Sequence, residues 1–169
     1  MMEAVDIYDH RREKTGVIKD RHEVQTGEYR LSAHVWILDQ DKLLIQQRAF
    51  TSKKFPGLWS QTAGGVIAGE TSLQACIREC QEEIGLSVDK KKITYIGSYT
   101  RVNDIVDIFL IETKIDINKL TLQEDEVNAV KMVSFEEFET MIASGEVVPS
   151  INPSYEYCKT YLKEYRVRA

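Results

Sequence analysis

Residues 64–86 read Gly-Gly-Val-Ile-Ala-Gly-Glu-Thr-Ser-Leu-Gln-Ala-Cys-Ile-Arg-Glu-Cys-Gln-Glu-Glu-Ile-Gly-Leu. The glycines at the start predict a tight turn, and the rest of the stretch predicts a helix. Thr71 and Gln74 have the spacing of a capping box, which marks the first helical turn. Gly85 suits the position after the last turn, because glycine readily adopts a left-handed conformation. The stretch therefore predicts a turn that leads directly into a helix.

The predicted helix has two chemically different sides. At about 100° per residue, Glu79, Glu82 and Glu83 project from one side. A second side, centred about 120° away, is apolar and suits burial in a core; it carries Leu73, Cys76, Ile77, Cys80 and Ile84. Neighbouring like charges destabilise a helix by roughly 0.2–0.5 kcal/mol per pair. Mg²⁺ or Mn²⁺ would reverse that effect because both prefer carboxylate oxygens, so the pattern favours a metal site over a solvated acidic surface.

The same stretch resembles the signature of the Nudix hydrolase family. In that signature a glycine is followed after five residues by a glutamate, and after seven more residues by Arg-Glu. An apolar residue, any residue, Glu-Glu, any residue, glycine and an apolar residue complete it. The matching positions are Gly64, Glu70, Arg78, Glu79, Cys80, Glu82, Glu83, Gly85 and Leu86. The resemblance covers roughly residues 30–140 and implies an α/β/α sandwich with a mixed β-sheet.

By this resemblance, the chain hydrolyses the P–O–P bridge of a nucleoside diphosphate derivative with the help of Mg²⁺ or Mn²⁺. Glu79 and Glu83 are the expected main metal ligands, and Glu82 is expected to be a ligand or a base that acts through water. Arg78 is expected to orient Glu79 by a charge-assisted hydrogen bond. Glu70 is expected to support the turn and the start of the helix.

The glycines of the motif, Gly64, Gly65 and Gly85, are expected to have structural roles where a side chain would clash. A backbone carbonyl of Ala63 or Gly64 is expected to complete the metal coordination. Three basic residues precede the turn and are candidates to bind the diphosphate: Arg48, Lys53 and Lys54. Candidates for a further carboxylate outside the motif are Glu112, Glu124, Asp125 and Glu126.

A narrower resemblance is to isopentenyl-diphosphate isomerase, carried by residues 48–49, 53–59 and 64–65 and by the N-terminal extension. Those isomerases have a catalytic cysteine at the position that corresponds to Gly64, and metal-binding histidines where this sequence has His22, Arg30 and Val66. The absent thiol and the incomplete histidine set favour hydrolysis. An isomerase-like enzyme and a non-catalytic nucleotide-binding module are the alternatives.

The remaining sequence predicts one domain of 169 residues. An N-terminal β extension (1–29) precedes the core (about 30–140), which is a mixed sheet with helices packed on it. A C-terminal amphipathic helix is predicted at about 153–165, with Tyr157, Tyr161 and Leu162 as docking residues. Hydrophobic content of 43% and charged content of 29% are typical of a globular protein and give no indication of disorder.

The net charge and the lack of membrane and signal patterns limit the expected partners and location of the protein. The net charge of −5 does not favour a nucleic-acid polymer as partner, so a small-molecule diphosphate is the expected substrate. No apolar run is long enough to span a bilayer, and the first residues lack the pattern of a signal peptide. We therefore expect a cytoplasmic protein in which the cysteines are buried free thiols. The resemblance leaves a homodimer open.

Overall fold

The structure is a computed structural model that describes residues 3–166. Within this range it contains nine strands: β1 (Ala4–Tyr8), β2 (Lys14–Asp20), β3 (Arg30–Asp39), β4 (Lys42–Arg48), β5 (Trp59–Ser60), β6 (Thr62–Gly65), β7 (Ile93–Arg101), β8 (Asp104–Glu112) and β9 (Val127–Ser134). Three α-helices accompany them: α1 (Ser72–Ile84), α2 (Phe135–Ala143) and α3 (Asn152–Arg166). The predicted domain of residues 1–169 also includes residues 1–2 and 167–169, which lie outside the described range.

The strands form two sheets. Strands β1 and β2 pair as a separate antiparallel hairpin, which is the predicted N-terminal β extension. The other seven form one sheet with the order β5-β4-β3-β8-β7, in which β6 also pairs with β3 and β9 also pairs with β4. Strands β3 and β8 are parallel, whereas the other pairs are antiparallel. The predicted fold, a mixed sheet with helices, is confirmed.

The large sheet has a hydrophobic core on each face, because successive side chains of a strand point to opposite sides. On one face, Trp36 of β3 packs with Phe138 of α2 and Tyr155 of α3, with ring centroids 5.0–5.8 Å apart. On the other face, the core contains Val35 and Ile37 of β3 together with the apolar side of α1. This arrangement gives three layers, with α1 alone on its face.

Helix α1 begins and ends where its sequence predicts. The Thr71 hydroxyl accepts a hydrogen bond from the Gln74 N–H at 3.1 Å, and the Gln74 side chain accepts one from the Thr71 N–H at 2.8 Å. At the other end, Gly85 has a φ of 67°. A Cβ on Gly85 would lie 2.9 Å from the Thr121 backbone nitrogen, so a larger residue would not fit there. Cys76 and Cys80 are buried free thiols in the core beneath the helix.

The C-terminal helix α3 packs through the predicted residues and through others. Leu162 is buried, Tyr161 is partly buried against the core, and Tyr157, although 37% exposed, donates to the Ser98 carbonyl at 2.9 Å. The other buried residues of α3 are Ser154, Tyr155 and Cys158. Tyr155 is preferred in the core because Trp36 and Phe138 form a site for its ring. Within the described residues, none of the helices has the length and apolar character needed to cross a membrane.

One face of β3 changes character along the strand. Trp36 lies under α2 and α3, whereas Arg30, Ser32 and His34, at the same two-residue spacing, are polar. The strand register places Arg30 beside Asp104 of β8, and Asp104 beside Arg101 of β7. The polar half of this face is therefore a row of charged side chains across three neighbouring strands.

Candidate active site

The glutamate side of α1 lies against the glycine strand β6. A Cβ built on Gly64 would be 2.1 Å from both Cδ and Oε1 of Glu79. Only glycine leaves room for the Glu79 carboxylate at this point, so the motif glycine has a steric role here. The structure thus brings a carboxylate directly against the backbone of the turn.

Arg78 links this carboxylate to the turn. Its Nε and Nη2 donate to the two oxygens of Glu70 at 2.8 and 3.0 Å, and Nη2 also donates to the Gly65 carbonyl at 2.9 Å. Its Nη1 donates to Glu79 at 2.6 Å and to Glu82 at 3.2 Å. These bonds, foremost that to Glu70, raise the pKa of Arg78. The structure therefore contains the expected bond from Arg78 to Glu79, and Glu70 acts by holding Arg78.

Glu83 is held from strand β4. The Gln46 amide donates to Glu83 Oε2 at 2.5 Å, and its carbonyl accepts from the Thr62 hydroxyl at 2.7 Å. Burial raises the pKa of Glu83 to about 8, and the nearby Glu79 charge adds to this shift. Burial likewise raises the pKa of Glu79 to about 7, against the opposing effect of Arg78. Two buried carboxyl groups therefore lie close together, and the nearby positive charges do not offset the effect of burial on their pKa values.

The three glutamates do not form a ready-made metal site. Within residues 3–166, no three His, Cys, Asp or Glu side chains are gathered where they could hold a metal ion. Glu82 differs from the expected arrangement because its side chain is 52% exposed and turns to Arg78. The donor chemistry nevertheless fits a hard cation, since every side-chain donor is a carboxylate oxygen.

The candidates for a further carboxylate have different positions. Glu126 lies close enough to Glu83 for its charge to raise the Glu83 pKa. Glu112 is ion-paired with Arg166 at 2.9 Å and lies at the end of β8, about 26 Å along the strand from Asp104. The structure therefore contradicts the placement of Glu112 at the site, because the start of β8 faces the site and its end does not. Glu124 is exposed and has no side-chain partner among the described residues.

A cavity of about 560 Å³ adjoins the glycine strand. The residues of β6 that line it are Ala63, Gly64 and Gly65. Five basic side chains face it, Arg21, Arg30, Arg48, Lys54 and Arg101, with one acidic side chain, Asp104. Of the predicted diphosphate ligands, Arg48 and Lys54 therefore lie in the lining, whereas Lys53 is exposed and lies outside it.

Arg48 connects the cavity to the glutamates. Its Nε donates to the Lys54 carbonyl at 2.9 Å, which fixes the side chain against the loop that follows β4. Its charge also lowers the pKa of Glu83, in opposition to burial. A phosphate group bound near Arg48 would therefore be close to Glu83.

The other basic residues of the cavity lie near two acidic side chains, Asp104 and Glu3. Asp104 accepts hydrogen bonds from Ser32 at 2.7 Å and from Arg101 at 2.5 Å. Arg30 is packed beside them, and burial lowers its pKa, with Asp104 opposing this effect and Arg21 and Arg101 adding to it. Arg101 is thus paired with Asp104, and Arg21 donates to Glu3 at 2.7 Å. Arg30 Nη1 is left without a hydrogen-bond partner among residues 3–166.

Several buried polar atoms in this region have no hydrogen-bond partner within residues 3–166. They are Arg30 Nη1, His34 Nδ1, Gln61 Oε1 and Tyr99 Oη. The first three residues line the cavity, and the Tyr99 ring lies edge-on to His34 with centroids 6.2 Å apart. Unpartnered buried polar atoms are rare in folded proteins, so their concentration here indicates a site for a polar ligand.

Sequence reasoning missed Gln46, Arg30, Arg101 and Asp104. Gln46 carries no motif signal, since it comes near β6 and Glu83 only because β4 and β6 both pair with β3. Arg30 could have been found, because Arg30, Ser32 and His34 alternate with the apolar residues Leu31, Ala33 and Val35. A strand with polar side chains on a face that is otherwise buried points to a functional surface.

The histidines and cysteines considered for isomerase chemistry do not come together at the cavity. His22 and His10 are exposed, and His22 lies outside the cavity lining. His34 is buried, and burial lowers its pKa to about 3, so the imidazole is neutral. All three cysteines of the chain are buried, and none of them faces the cavity.

Comparison with known proteins identifies the family. A sequence profile described as the NUDIX domain matches residues 28–151. An uncharacterized Nudix hydrolase of Listeria monocytogenes is 36% identical over 151 residues, which is 88% of this chain and 89% of that protein. The chain belongs to the Nudix family. The predicted assignment to the Nudix hydrolases is confirmed.

Other known proteins are similar to part of the sequence or share the fold. An isopentenyl-diphosphate Δ-isomerase of Brevibacterium linens is 35% identical over 92 residues, 52% of this chain and 50% of that protein. Among solved structures, a Deinococcus radiodurans protein has a TM-score of 0.76 at 18% identity and covers 94% of this chain and 99% of its own. The NUDIX domain of Shewanella oneidensis NrtR, complexed with ADP ribose, has a TM-score of 0.65 at 16% identity, with 85% and 93% coverage. These structures share the fold.

Proposed function

We propose that this Nudix hydrolase cleaves the pyrophosphate bond of a nucleoside diphosphate derivative and depends on Mg²⁺ or Mn²⁺. The observation that supports this most strongly is the position of Glu79. Its carboxylate lies against Gly64, and Gly64 also lines a cavity with five basic side chains. Acidic groups suited to a cation and basic groups suited to phosphate therefore meet at one strand.

The residues that would hold the cation are Glu79, Glu82 and Glu83, with a carbonyl of Ala63 or Gly64 and the nearby Glu126 as further oxygen donors. A divalent cation supplies charge neutralisation for the phosphoryl group and lowers the pKa of an attacking water. The donor set is suited to this because it consists of oxygens alone.

The other residues position these groups. Arg78 orients Glu79, and Gln46 orients Glu83 through hydrogen bonds of 2.6 and 2.5 Å. Arg48 and Lys54 bind phosphate oxygens from the cavity side. Either Glu82 or Glu83 accepts the proton of the attacking water. We further propose one domain, a small-molecule substrate and a cytoplasmic location, with a homodimer left open.

The isomerase alternative has a steric obstacle. A cysteine at position 64 would carry its Cβ into the Glu79 carboxylate, so the two groups cannot share the site as it stands. No cysteine faces the cavity to replace it. A non-catalytic binding module is the other alternative, since the Shewanella domain is described with bound ADP ribose.

A substrate panel tests the proposal. ADP-ribose, NAD⁺, UDP-glucose and isopentenyl diphosphate are incubated with Mg²⁺ or Mn²⁺, and the products are identified by mass. We expect nucleoside monophosphate from at least one compound. Glu83→Gln should lower kcat by about two to three orders of magnitude, whereas Glu164→Gln, an exposed change on α3, should have no effect.

Two other outcomes of the panel would each support one of the alternative functions. Tight binding of ADP-ribose without any product supports a binding module. Deuterium uptake into isopentenyl diphosphate from heavy water supports an isomerase. Either result contradicts the proposed hydrolysis.

A further inference from the structure

The cavity has more basic side chains than the two assigned to the diphosphate. Five basic side chains and one acidic side chain face it, in a protein with a net charge of −5. Arg48, whose charge lowers the pKa of Glu83, and Lys54 are the two assigned to the proposed diphosphate. Arg21, Arg30 and Arg101 form a second group, the arginine cluster, in which Arg21 is paired with Glu3 and Arg101 with Asp104.

The arginine cluster and the glutamates lie on opposite faces of the sheet. Gly64 and Gly65 are successive residues of β6, so their Cα–H bonds point to opposite sides. A Cβ on Gly64 would meet Glu79, whereas a Cβ on Gly65 would lie 3.1 Å from Arg30 Nη1. The backbone of β6 therefore separates Arg30 from the carboxylates. Among the described strands β6 pairs with β3 alone, so one elongated molecule that passes its other edge contacts both faces.

The unpartnered atoms specify the chemistry of a ligand. Arg30 Nη1 is a buried cationic donor that lacks an acceptor among residues 3–166, which an oxyanion would supply. Gln61 Oε1 is a buried acceptor that lacks a donor, which a hydroxyl would supply. Arginine forks match the oxygens of a phosphate well. A phosphate ester on a polyol, such as a phosphorylated ribose, offers both groups.

We propose that the arginine cluster binds a phosphate monoester of the substrate, separate from the diphosphate that is cleaved, and that Gln61 accepts a hydrogen bond from a neighbouring hydroxyl. The inference rests on the proposed function in one respect: it takes the cleaved diphosphate to lie at the glutamates. Binding of the phosphate monoester to the arginine cluster can be measured without hydrolysis.

Matched pairs of compounds that differ by one phosphate monoester test it. The pairs are ADP-ribose 2′-phosphate with ADP-ribose, and NADP⁺ with NAD⁺. Affinity is measured by calorimetry on the Glu83→Gln protein, and kcat/KM is measured on the wild type. We expect the phosphorylated member to bind about tenfold more tightly or better, the contribution of a hydrogen bond between charged groups.

Arg30→Gln should reduce this preference to near one while affecting the unphosphorylated member little. Arg11→Gln, the same change at an exposed arginine outside the cavity, should leave the preference intact. Because Arg30 Nη1 has no partner within the described residues, Arg30→Gln should leave the Tm unchanged or raise it. A structural role for Arg30 would instead lower the Tm.

Several results would overturn the inference. One is an equal loss of affinity for both members of each pair in Arg30→Gln, which would mean that Arg30 binds the diphosphate. Another is a preference for UDP-glucuronate over UDP-glucose as large as the phosphate preference, which would mean that any oxyanion is accepted. Hydrolysis without preference refutes this inference alone, whereas preference in binding without hydrolysis refutes the proposed function alone.

Discussion

Gly64 and Gly65 show how two identical residues can have different roles. Gly64 leaves space for Glu79 on the α1 face, and Gly65 leaves space for Arg30 on the cavity face. The difference arises from the two-residue alternation of a strand and not from any local sequence signal. The glycine pair thus makes β6 thin where acidic and basic groups approach from opposite sides.

Gly64→Ala should therefore displace Glu79 with little effect on the rest of the fold. The added Cβ would lie 2.1 Å from the Glu79 carboxylate, which must rotate away. We expect kcat/KM to fall by about 10- to 100-fold, the cost of a displacement near 1 Å at a catalytic group. Steady-state kinetics with the substrate found in the panel measures this.

A double-mutant cycle separates this effect from general damage. In the Glu79→Ala background the obstacle is absent, so Gly64→Ala should cost no further activity. An additional loss of similar size in that background would show that the glycine acts independently of Glu79.

Helix α1 is defined by its ends as much as by its faces. Its capping box and the left-handed Gly85 set where the helix starts and stops, and this fixes the angular positions of Glu79 and Glu83. Helix α2 has the same device, with Ser134 and Glu137 bonded reciprocally at 3.0 and 3.3 Å. The two helices therefore allow a matched comparison of capping.

Thr71→Ala and Ser134→Ala should each reduce the free energy of unfolding by about 1 kcal/mol, because each removes one side-chain cap. Urea denaturation followed by circular dichroism measures both. Only Thr71→Ala should also reduce activity, since α1 alone carries the glutamates. Equal losses of activity in the two variants would indicate that the glutamates do not depend on the helix start.

The attachment of α3 depends on a buried hydrogen bond. Trp36 Nε1 donates to the Ser154 hydroxyl at 2.9 Å, and both residues are fully buried. Ser154→Ala should destabilise the protein by about 1–3 kcal/mol, because the indole N–H loses its acceptor away from water. Thr160→Ala, an exposed change on the same helix, is the control and should have a much smaller effect in the same denaturant titration.

The whole protein combines a negative net charge with a basic cavity. Buried titratable groups beside this cavity make the stability of the protein depend on pH. His34 is kept neutral by burial, which lowers its pKa from 6.5 to about 3. Between these values the unfolded chain binds a proton at His34 that the folded protein does not. Stability linked to His34 is therefore complete above pH 6.5 and is lost as the pH falls.

His34→Gln should remove this dependence. Relative to the variant, the wild type should lose about 2 kcal/mol of unfolding free energy between pH 7 and pH 5. Urea titrations of both proteins across this range measure the difference, in which effects of Glu79 and Glu83 cancel. Parallel pH profiles for the two proteins would contradict the attribution of this pH-dependent stability to His34.

The sequence alone predicted the features that arise from local geometry. Helical pitch placed Glu79, Glu82 and Glu83 on one side of α1, and the capping residues set its limits. These predictions succeeded because each depends on neighbours in the chain and on the periodicity of one element.

The tertiary structure alone determined which distant groups meet. Gln46 reaches Glu83, and Glu126 approaches it, because β4 pairs with β3 and β9. Arg30, Asp104 and Arg101 form a row because β3, β8 and β7 lie side by side in one register. Glu112 was misplaced for the same reason, since strand direction sends it to the far end. Strand pairing is non-local, so no segment of the sequence contains this information.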